Sequence, residues 1–353
     1  MSTEAAAHPQ FICLGLNYRT APVAVRERLS YTKGRVAQVV QVLNTLPAVQ
    51  ECVLLSTCNR TELYFMTPDA LTAEAAVMAW FLGQAADAEL GRCFYRHAGA
   101  SALFHLARVA AGLDSMVVGE TEIFGQLKDA YQAALEARTT GGALNRIFQH
   151  VFTIGKKVRT ETQITSGPTS VGAVAVQMAQ EILNGLSGRN VLVVGAGDIA
   201  RSTAQSLQSR GAESIFVANR SYDRAVALAE QVGGRVIRFA EWVPYLENID
   251  IVIVSTASPV YVVSPAVLQG VQQVRRRPLF LIDLSVPRNV DPACAQVPQV
   301  YVYDMDAMQT RVEATAAHRH SEIAVCEQMI RDWVAAEEEL LLHPRRTAAV
   351  QQK

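Results

Sequence analysis

The sequence predicts a multidomain α/β fold, and two observations lead to this prediction. Short apolar segments alternate with helical ones after Asn190, which is typical of a doubly wound parallel sheet covered by helices. Residues 305–342 contain neither glycine nor proline, which favours one long carboxyl-terminal helix. We therefore expect an α+β domain over residues 1–160, a central sheet domain over 161–304 and a helical region over 305–353.

The composition limits the class of protein. With 353 residues, of which 50% are apolar, the chain can form two or three domains with real cores. A net charge of −1 argues against a general nucleic-acid-binding surface but leaves room for a local basic patch. No signal-peptide pattern and no membrane-spanning run occur, which predicts a cytoplasmic protein. The six cysteines form no CxxC pair, so reduced thiols are expected, with no disulfides and no zinc site.

The first part of the chain alternates between strand and helix patterns. Continuous or alternating apolar runs predict strands, whereas apolar residues at helical spacing predict helices. The predicted strands are residues 11–17, 51–56 and 61–66, and the predicted helices are residues 22–43 and 73–82. Residues 100–159 follow a helical pattern with breaks at Gly112 and at Gly141-Gly142, and Ser166-Gly167-Pro168 is typical of a linker.

Four apolar segments of the central region are predicted to be parallel strands: VLVVG, SIFVANR, IDIVIVST and PLFLIDLS. A G-x-G-x-x-A turn follows the first of them and opens a helix; it consists of Gly195, Ala196, Gly197, Asp198, Ile199 and Ala200. The first glycine permits a tight turn, the second lets a pyrophosphate approach the backbone, and the alanine permits close packing. This context favours a Rossmann-like dinucleotide site over a purely structural turn.

The residues after the second central strand indicate which dinucleotide is bound. A site for NAD usually carries an acidic residue here, which binds the ribose 2′-hydroxyl. This chain instead has Asn219, Arg220 and Ser221, followed by Arg224. These side chains suit a 2′-phosphate, so NADPH is the expected cofactor. The alternative is that Arg220 is only a solvated charge at the start of a helix.

Cys58 lies in a polar turn between two predicted strands, flanked by Thr57, Asn59 and Arg60. A buried structural cysteine would more often lie within a strand, as Cys52 does. A nearby cation favours the thiolate that acts as a nucleophile, and Arg60 either supplies that cation or binds a substrate carboxylate. From composition alone, a lone cysteine is more often structural.

His105 is the second candidate for catalysis, because histidine is the commonest general base. It lies among apolar residues of a predicted helix, where a histidine is more often a satisfied core residue than a catalyst. His97 has equal chemical merit.

The predicted terminal helix carries an apolar stripe: Met308, Val312, Ile323, Cys326, Ile330 and Val334. Such a stripe must be covered. Its first part is expected to pack on the amino-terminal domain, and its distal part, residues 333–342, on a second copy of the chain. The negative charges of Glu337, Glu338 and Glu339 repel across that seam. A weak homodimer that dissociates in the micromolar range is therefore expected.

Four segments of the chain resemble the glutamyl-tRNA reductase family. The first is LSTCNRTELY around Cys58, and the second runs from HLARVAAGLDSMVVGE at His105 into GQLK. The third is GAGDIA followed by ANR at Arg220, and the fourth is DLSVPRNVDP from Asp283. The resemblance extends in order from residue 10 to residue 335. Its first two motifs are the specific ones.

The resemblance implies NADPH-dependent reduction of glutamyl-tRNA to glutamate 1-semialdehyde through a thioester on Cys58. This is the first committed step of tetrapyrrole (porphyrin) biosynthesis from glutamate. It also implies that His105 is important for activity and that Arg60 binds the glutamate side-chain carboxylate. Further substrate-contact positions are Thr57, Asn59, Ser115, Glu120, Thr121, Glu122 and Gln126. Glutamate-1-semialdehyde aminomutase is the candidate partner that receives the product.

The chain departs from the family pattern in two places. Members commonly read Glu-Pro-Gln where this chain has Glu120-Thr121-Glu122, and the extra charge either weakens binding of an anionic substrate or contacts its ammonium group. The chain is also shorter after the long helix, which predicts that helices completing the dimer are missing. Two alternatives therefore accompany the reductase. One is a truncated paralogue that binds NADPH or tRNA without turnover, and the other is an NADPH-dependent oxidoreductase that shares only the central domain.

Overall fold

The computed structural model describes residues 9–85, 88–165, 171–212, 214–272, 275, 277–308 and 320–342. The chain forms two compact units. The first unit comprises Met1–Ser166 and His318–Lys353, and the second comprises Gly167–Ala317. The terminal helix therefore belongs to the first unit, and the three-domain division of the sequence stays a prediction.

An antiparallel sheet lies at the centre of the first unit. Its strands are β1 (Gln10–Asn17), β2 (Glu51–Ser56), β3 (Arg60–Thr67) and β4 (Tyr95–Ala98), in the order β2-β3-β1-β4. Buried apolar clusters cover both faces, so β1 and β3 are buried at nearly every position. The three predicted strands are confirmed. The sequence pattern misses β4, because its four residues, YRHA, include no apolar run.

Helices cover both faces of this sheet. They are α1 (Val23–Arg26), α2 (Lys33–Asn44), α3 (Ala70–Ala85), α4 (Ala100–Ala111), α5 (Glu122–Glu136), α6 (Gly142–Glu161) and the terminal helix (His320–Leu342). The predicted breaks are confirmed: Gly112 ends α4, and α6 begins after Gly141. The predicted helix over residues 73–82 is also present, as part of α3.

The single helix predicted over residues 22–43 is wrong. The structure has α1, followed directly by a short 3-10 helix, and then α2. An extended segment separates the 3-10 helix from α2. In this segment Thr32 has an extended backbone (ψ 153°), and the amide of Tyr31 donates to Ser56 Oγ at 3.0 Å. The change of direction buries Leu29 and Tyr31. Tertiary packing therefore overrides the helical periodicity of the segment.

The terminal helix packs into the core of the first unit beside α4 and α6. Its residues Cys326, Ile330 and Val334 are buried in the same apolar cluster as those helices. The predicted packing of the stripe on the amino-terminal part of the chain is therefore confirmed. Leu341 and Leu342 are buried in the same cluster, so the expectation that the distal part, residues 333–342, is covered by a second copy of the chain is wrong. Residues 309–319, which include Val312, lie outside the described residues, so the continuous helix from residue 305 stays a prediction.

A parallel sheet forms the second unit. Its strands are β5 (Asn190–Val194), β6 (Ser214–Asn219), β7 (Arg235–Arg238), β8 (Ile251–Val254), β9 (Leu279–Asp283) and β10 (Val300–Tyr303), in the order β10-β9-β8-β5-β6-β7. Its described helices are α7 (Val171–Leu183), α8 (Asp198–Ser209), α9 (Tyr222–Gln231), α10 (Trp242–Tyr245) and α11 (Pro265–Gln272). The chain reverses its direction of winding between β5 and β8, which places the topological switch point at the carboxyl end of β5. The doubly wound sheet is confirmed.

The remaining general expectations concern the cysteines, the linker and membranes. All six cysteines are unpaired thiols, as predicted. The linker predicted at Ser166-Gly167-Pro168 lies outside the described residues. In the part of the chain that the structure describes, no helix combines the length and the apolar character needed to cross a bilayer.

Candidate active site

Cys58 lies in the tight turn that joins β2 to β3. The amide of Thr57 donates to the Arg60 carbonyl at 2.9 Å, and Thr57 Oγ1 accepts the amides of Asn59 and Arg60 at 3.1 and 3.2 Å. Arg26, at the end of α1, supports the turn: its Nη1 donates to the Cys58 carbonyl at 2.6 Å and to Asn59 Oδ1 at 3.1 Å. The backbone around the thiol is thereby fixed, and Cys58 stays partly exposed.

The surroundings of Cys58 keep its thiol protonated. Burial of the sulfur raises its pKa to about 12, and Glu120 and Glu122 act in the same direction. Arg26 opposes the shift. Arg26 therefore favours the thiolate, which is one of the two roles that the sequence left open for Arg60. A thiol with this pKa needs a proton acceptor before it can act as a nucleophile.

Glu62, on β3, is the centre of a buried polar cluster. Its Oε1 accepts a hydrogen bond from Arg60 Nη1 at 2.6 Å and lies 2.9 Å from His105 Nε2. The hydroxyl groups of Tyr64 and Tyr95 also donate to this carboxylate. Burial raises the pKa of Glu62, but Arg60 and His105 outweigh that effect and hold it well below its usual value. The carboxylate thus orients both Arg60 and His105.

Asp114 holds the same arginine from the loop that follows α4. Arg60 Nη2 donates to the Asp114 backbone carbonyl and, at 3.0 Å, to its Oδ2. Asn17 Nδ2 and Arg19 Nη1 donate to the same carboxylate at 3.2 and 2.8 Å. Arg60 is only 2% exposed, and its charge is balanced by Glu62 and Asp114, as a buried ion requires. Its contact with a substrate carboxylate stays a prediction.

The loop between α4 and α5 carries other predicted contact residues. Gly112 has φ +77°, and a Cβ there would lie 2.9 Å from the Glu120 carbonyl oxygen. Gly119 has φ +83°, and a Cβ there would lie 1.9 Å from the Ile164 carbonyl oxygen. Only glycine fits these two positions. The tightly folded loop that results buries Ser115 and Glu120.

Glu120 is a second group with unusual acidity near the thiol. Burial raises its pKa to about 7; Ser115 opposes that rise and Glu122 adds to it. A carboxyl group with this pKa exists in both forms at neutral pH, so it can accept or release a proton. Arg159, on α6, also lowers the pKa of Glu120. Its Nη1 is buried and has no hydrogen-bond partner among the described residues.

Thr121, Glu122 and Gln126 lie at the start of α5. Thr121 occupies the N-cap position and is exposed, whereas Glu122 and Gln126 are partly buried. Thr121 and Glu122, which replace the Pro-Gln of the family pattern, therefore follow Glu120 directly, and the charge of Glu122 raises the pKa of Cys58.

The structure distinguishes the two candidate histidines. Their rings stack with centroids 4.5 Å apart. His105 is buried and paired with Glu62, whereas His97 is less buried and its Nδ1 lies 3.1 Å from Ser101 Oγ. Burial lowers the pKa of His97, and His105 lowers it further. Within the described residues His105 is thus linked to Arg60 through Glu62; its importance for activity stays a prediction.

Sequence reasoning missed Arg26, Glu62 and Asp114. A signal was present for the two acids, because each is a charged residue directly beside apolar residues of its motif, and charged residues are seldom buried without a partner. Arg26 gives no such signal. One of its partners is the backbone carbonyl of Cys58, and every residue type has a backbone carbonyl, so the sequence does not mark this contact.

The glycine-rich turn after β5 has the geometry of a dinucleotide site. Gly195 has φ +122°, and a Cβ there would lie 1.9 Å from the Ser255 carbonyl oxygen, so only glycine fits. A Cβ on Gly197 would meet open space at the N-terminus of α8, where a pyrophosphate has room to approach. Ala200 is fully buried. The residues present therefore fit a bound dinucleotide.

The residues predicted to select the cofactor follow β6 at the carboxyl edge of the same sheet. Asn219 is the last residue of β6, and its Nδ2 donates to the Ser221 carbonyl at 3.0 Å. Arg220 and Ser221 are exposed and directly precede α9. The contact of these side chains with a 2′-phosphate stays a prediction.

Asp283 ends β9 and organises the fourth motif. Its carboxylate accepts the amides of Ser285 at 3.0 Å and of Asn289 and Val290, each at 2.7 Å. Ser285 Oγ in turn accepts the amide of Thr256, which follows β8. This motif therefore shapes the loops beyond the carboxyl ends of β8 and β9.

Comparisons with known families and proteins give a consistent result. Residues 14–162 match the family described as glutamyl-tRNAGlu reductase, N-terminal domain, and residues 177–311 match the family described as shikimate / quinate 5-dehydrogenase. The glutamyl-tRNA reductase of Akkermansia muciniphila is 47% identical over 328 residues, which cover 92% of this chain and 96% of that protein. The glutamyl-tRNA reductase of Heliobacterium mobile is 41% identical over 90% of this chain and 72% of its own length. The solved glutamyl-tRNA reductase from Methanopyrus kandleri is 33% identical and aligns with a TM-score of 0.50 over 94% of this chain and 80% of that chain.

Proposed function

This chain belongs to the glutamyl-tRNA reductase family, and on that premise we propose that it reduces glutamyl-tRNA to glutamate 1-semialdehyde with NADPH. This reaction is the first committed step of tetrapyrrole biosynthesis from glutamate. One observation supports the proposal for this chain's own residues. Cys58, a residue that is partly exposed, lies in a fixed turn whose last residue, Arg60, belongs to the buried cluster around Glu62.

Arg60 is the proposed anchor for the side-chain carboxylate of the substrate. A guanidinium group has five N–H donors, and Arg60 makes three hydrogen bonds to Glu62 and Asp114. Donors therefore remain for a carboxylate, and the two acids prevent the side chain from swinging away. We assign contacts with the rest of the glutamyl group to the positions that match the family motifs: Thr57, Asn59, Ser115, Glu120, Thr121, Glu122 and Gln126.

In the proposed first step the sulfur of Cys58 attacks the ester carbonyl, and the bond to the tRNA ribose oxygen breaks. The thiol must lose its proton, because its pKa is about 12 in the resting site. Glu120, whose pKa is about 7, acts on the thiol electrostatically and is our candidate to accept that proton. The leaving ribose oxygen takes up a proton, so tRNA departs as an alcohol and a thioester remains on Cys58.

The thioester is a better hydride acceptor than a carboxylate, which is why covalent catalysis helps here. Bound NADPH would supply the hydride. The residues that would hold it are Gly195, Ala196, Gly197, Asp198, Ile199, Ala200, Asn219, Arg220 and Ser221. Departure of the Cys58 sulfur from the reduced adduct then releases the aldehyde. His105, oriented by Glu62, is proposed to support this step.

The test incubates the full chain with glutamyl-tRNA and NADPH and measures aldehyde formation and NADPH oxidation. Cys58→Ser is expected to abolish turnover and to leave NADPH binding intact, because a hydroxyl group scarcely ionises at neutral pH. Cys93→Ser is the matched control, since Cys93 is also a partly exposed thiol. If Cys58→Ser stays active and Cys52→Ser does not, the nucleophile is misassigned. NADPH binding without turnover in the unmodified chain would favour the non-catalytic paralogue.

Two assemblies also stay proposals. One is a weak homodimer, and the other is transfer of the aldehyde to glutamate-1-semialdehyde aminomutase. Sedimentation at several concentrations tests the dimer. An active species that stays monomeric at tens of micromolar would show that one chain suffices for catalysis. A dimer that persists at nanomolar concentration would show that two chains associate tightly.

A further inference from the structure

Three exposed arginines lie where β6 and β7 end at the carboxyl edge of the sheet. Arg220 follows β6, Arg224 lies in the first turn of α9, and Arg238 is the last residue of β7. All three are exposed, and within the described part of the chain none of them forms an ion pair. Exposure alone does not explain this, because Arg96 is also exposed and does bind Glu74, at 2.7 Å. We call these three residues the arginine corner.

Arg238 has a defined position in this corner. It lies directly opposite Asn219 in the parallel pairing of β6 with β7. Neighbouring strands are about 4.8 Å apart, so Arg238 is beside the residue that precedes Arg220. Its guanidinium carbon lies over the ring of Tyr222, 5.3 Å from the centroid. Because Tyr222 is the first residue of α9, the ring supports the guanidinium at the start of that helix.

We propose that Arg238 is a further ligand of the 2′-phosphate on the adenosine ribose of NADPH, and that Tyr222 positions it. The inference rests on the proposed use of NADPH and adds a second selecting residue to Arg220. In a doubly wound fold the adenosine ribose binds beyond the carboxyl end of the second strand, which here is β6. The 2′-phosphate is close to a dianion at neutral pH and has three strong acceptor oxygens, so it can bind more than one guanidinium.

The sequence pattern does not reveal Arg238. Its strand, RVIR, is four residues long and exposed at both ends, so it lacks the apolar run that marks a central strand. Only the pairing of β7 with β6 brings Arg238 next to Asn219, which is 19 positions earlier in the chain. Arg235, at the other end of β7, lies opposite Phe216 near the amino end of β6, away from the corner.

The experiment measures binding of NADPH, NADH, 2′,5′-ADP and 5′-AMP to the full chain by calorimetry. Arg238→Ala is expected to weaken NADPH and 2′,5′-ADP about tenfold, which corresponds to about 1.4 kcal/mol, and to leave NADH and 5′-AMP unchanged. Arg235→Ala is the matched control, because it removes an exposed arginine from the same strand and is expected to change nothing. Thermal unfolding verifies that both variants keep the stability of the unmodified chain.

A pH series adds a readout that a merely structural role would not affect. A phosphate monoester acquires its second charge near pH 6, so affinity for 2′,5′-ADP should rise between about pH 5 and about pH 7. The rise should be smaller in Arg238→Ala. Tyr222→Phe keeps the ring and should bind like the unmodified chain, whereas Tyr222→Leu should lose part of the affinity for NADPH.

Each outcome decides a separate point. Equal losses for NADPH and NADH in Arg238→Ala would overturn the phosphate assignment. Unchanged NADPH binding in Arg238→Ala, together with weakened NADPH binding in Arg220→Ala, would also overturn it. In that case the proposed use of NADPH would stand, but without a contact from Arg238. If the unmodified chain binds NADH more tightly than NADPH, the cofactor proposal itself fails.

Discussion

The cluster around Glu62 and the arginine corner use the same side chain in opposite ways. In the cluster, Arg60 is buried and shared between Glu62 and Asp114. In the corner, Arg238 is exposed, and among the described residues its guanidinium contacts an aromatic ring rather than an acid. A buried charge must be compensated before the substrate arrives, whereas an exposed one is compensated by water until a ligand replaces it. The cluster therefore holds the guanidinium of Arg60 in a fixed orientation, whereas the arginine corner attracts an anionic ligand.

This contrast predicts different sensitivities. Loss of a partner in the cluster leaves an uncompensated buried charge, so it should reduce both stability and activity. Loss of an arginine from the corner should weaken ligand binding and leave the stability of the fold unchanged. Salt should also weaken ligand binding at the arginine corner more than it weakens the buried ion pairs of the cluster, because screening acts mainly on exposed charges.

The largest expected effect is that of Glu62→Ala. Removal of one partner from a buried ion pair costs about 3–5 kcal/mol of unfolding free energy, and Arg60 and His105 both contact this carboxylate. Urea unfolding measures the loss. The matched control is Glu74→Ala, because Glu74 pairs with Arg96, whose side chain is 47% exposed. Glu74→Ala should lower the unfolding free energy by only about 0–1 kcal/mol. Equal losses in the two variants would contradict the proposed difference between buried and exposed ion pairs.

The same carboxylate predicts a dependence on pH. Burial raises the pKa of Glu62, but Arg60 and His105 hold it below its usual value, so the folded state binds the proton more weakly than the unfolded state. Its stabilisation is therefore complete above the unfolded pKa of about 4.3 and is lost as the pH falls further. Urea unfolding between about pH 6 and about pH 3 should show a shallower loss in Glu62→Gln than in the unmodified chain.

An intermediate effect is expected for Arg220→Ala. A charge-assisted contact with the 2′-phosphate contributes about 1.5–3 kcal/mol, so NADPH binding should weaken by at least tenfold while NADH binding changes little. Calorimetry at two salt concentrations measures both. The difference between the two cofactors should shrink at high salt. Equal losses for NADPH and NADH would mean that Arg220 does not select the cofactor.

The smallest expected effect concerns the thiol. Burial raises the pKa of Cys58 to about 12, and the charge of Glu120 is the next contribution in that direction. Glu120→Gln removes this charge, so the pKa of Cys58 should fall and alkylation of Cys58 at pH 8 should accelerate by up to about tenfold. Peptide mass spectrometry measures the rate, with Cys93 as the internal reference. Slower alkylation would contradict the assigned sign.

Some features of the site could be predicted from the sequence because they depend on neighbouring residues. The strands beside Cys58 follow from apolar runs, and the turn at Gly195 follows from a backbone conformation that only glycine permits. The glycine that ends α4, Gly112, could be predicted for the same reason. The helix over residues 22–43 could not, because Leu29 and Tyr31 are drawn into the core between its two parts.

The sequence by itself determined the strands on either side of Cys58, the four central strands of the parallel sheet, the polar turn that holds Cys58 and the glycine-rich turn of the nucleotide site. Each depends on backbone preferences and apolar periodicity within a few residues. The tertiary structure alone decided which charges meet. Arg60 pairs with Asp114, 54 positions away, and Arg26 reaches the carbonyl of Cys58, 32 positions away. Such partners are chosen by strand register and helix packing. A local pattern can show that a charged residue will be buried, but it cannot show which partner will neutralise it.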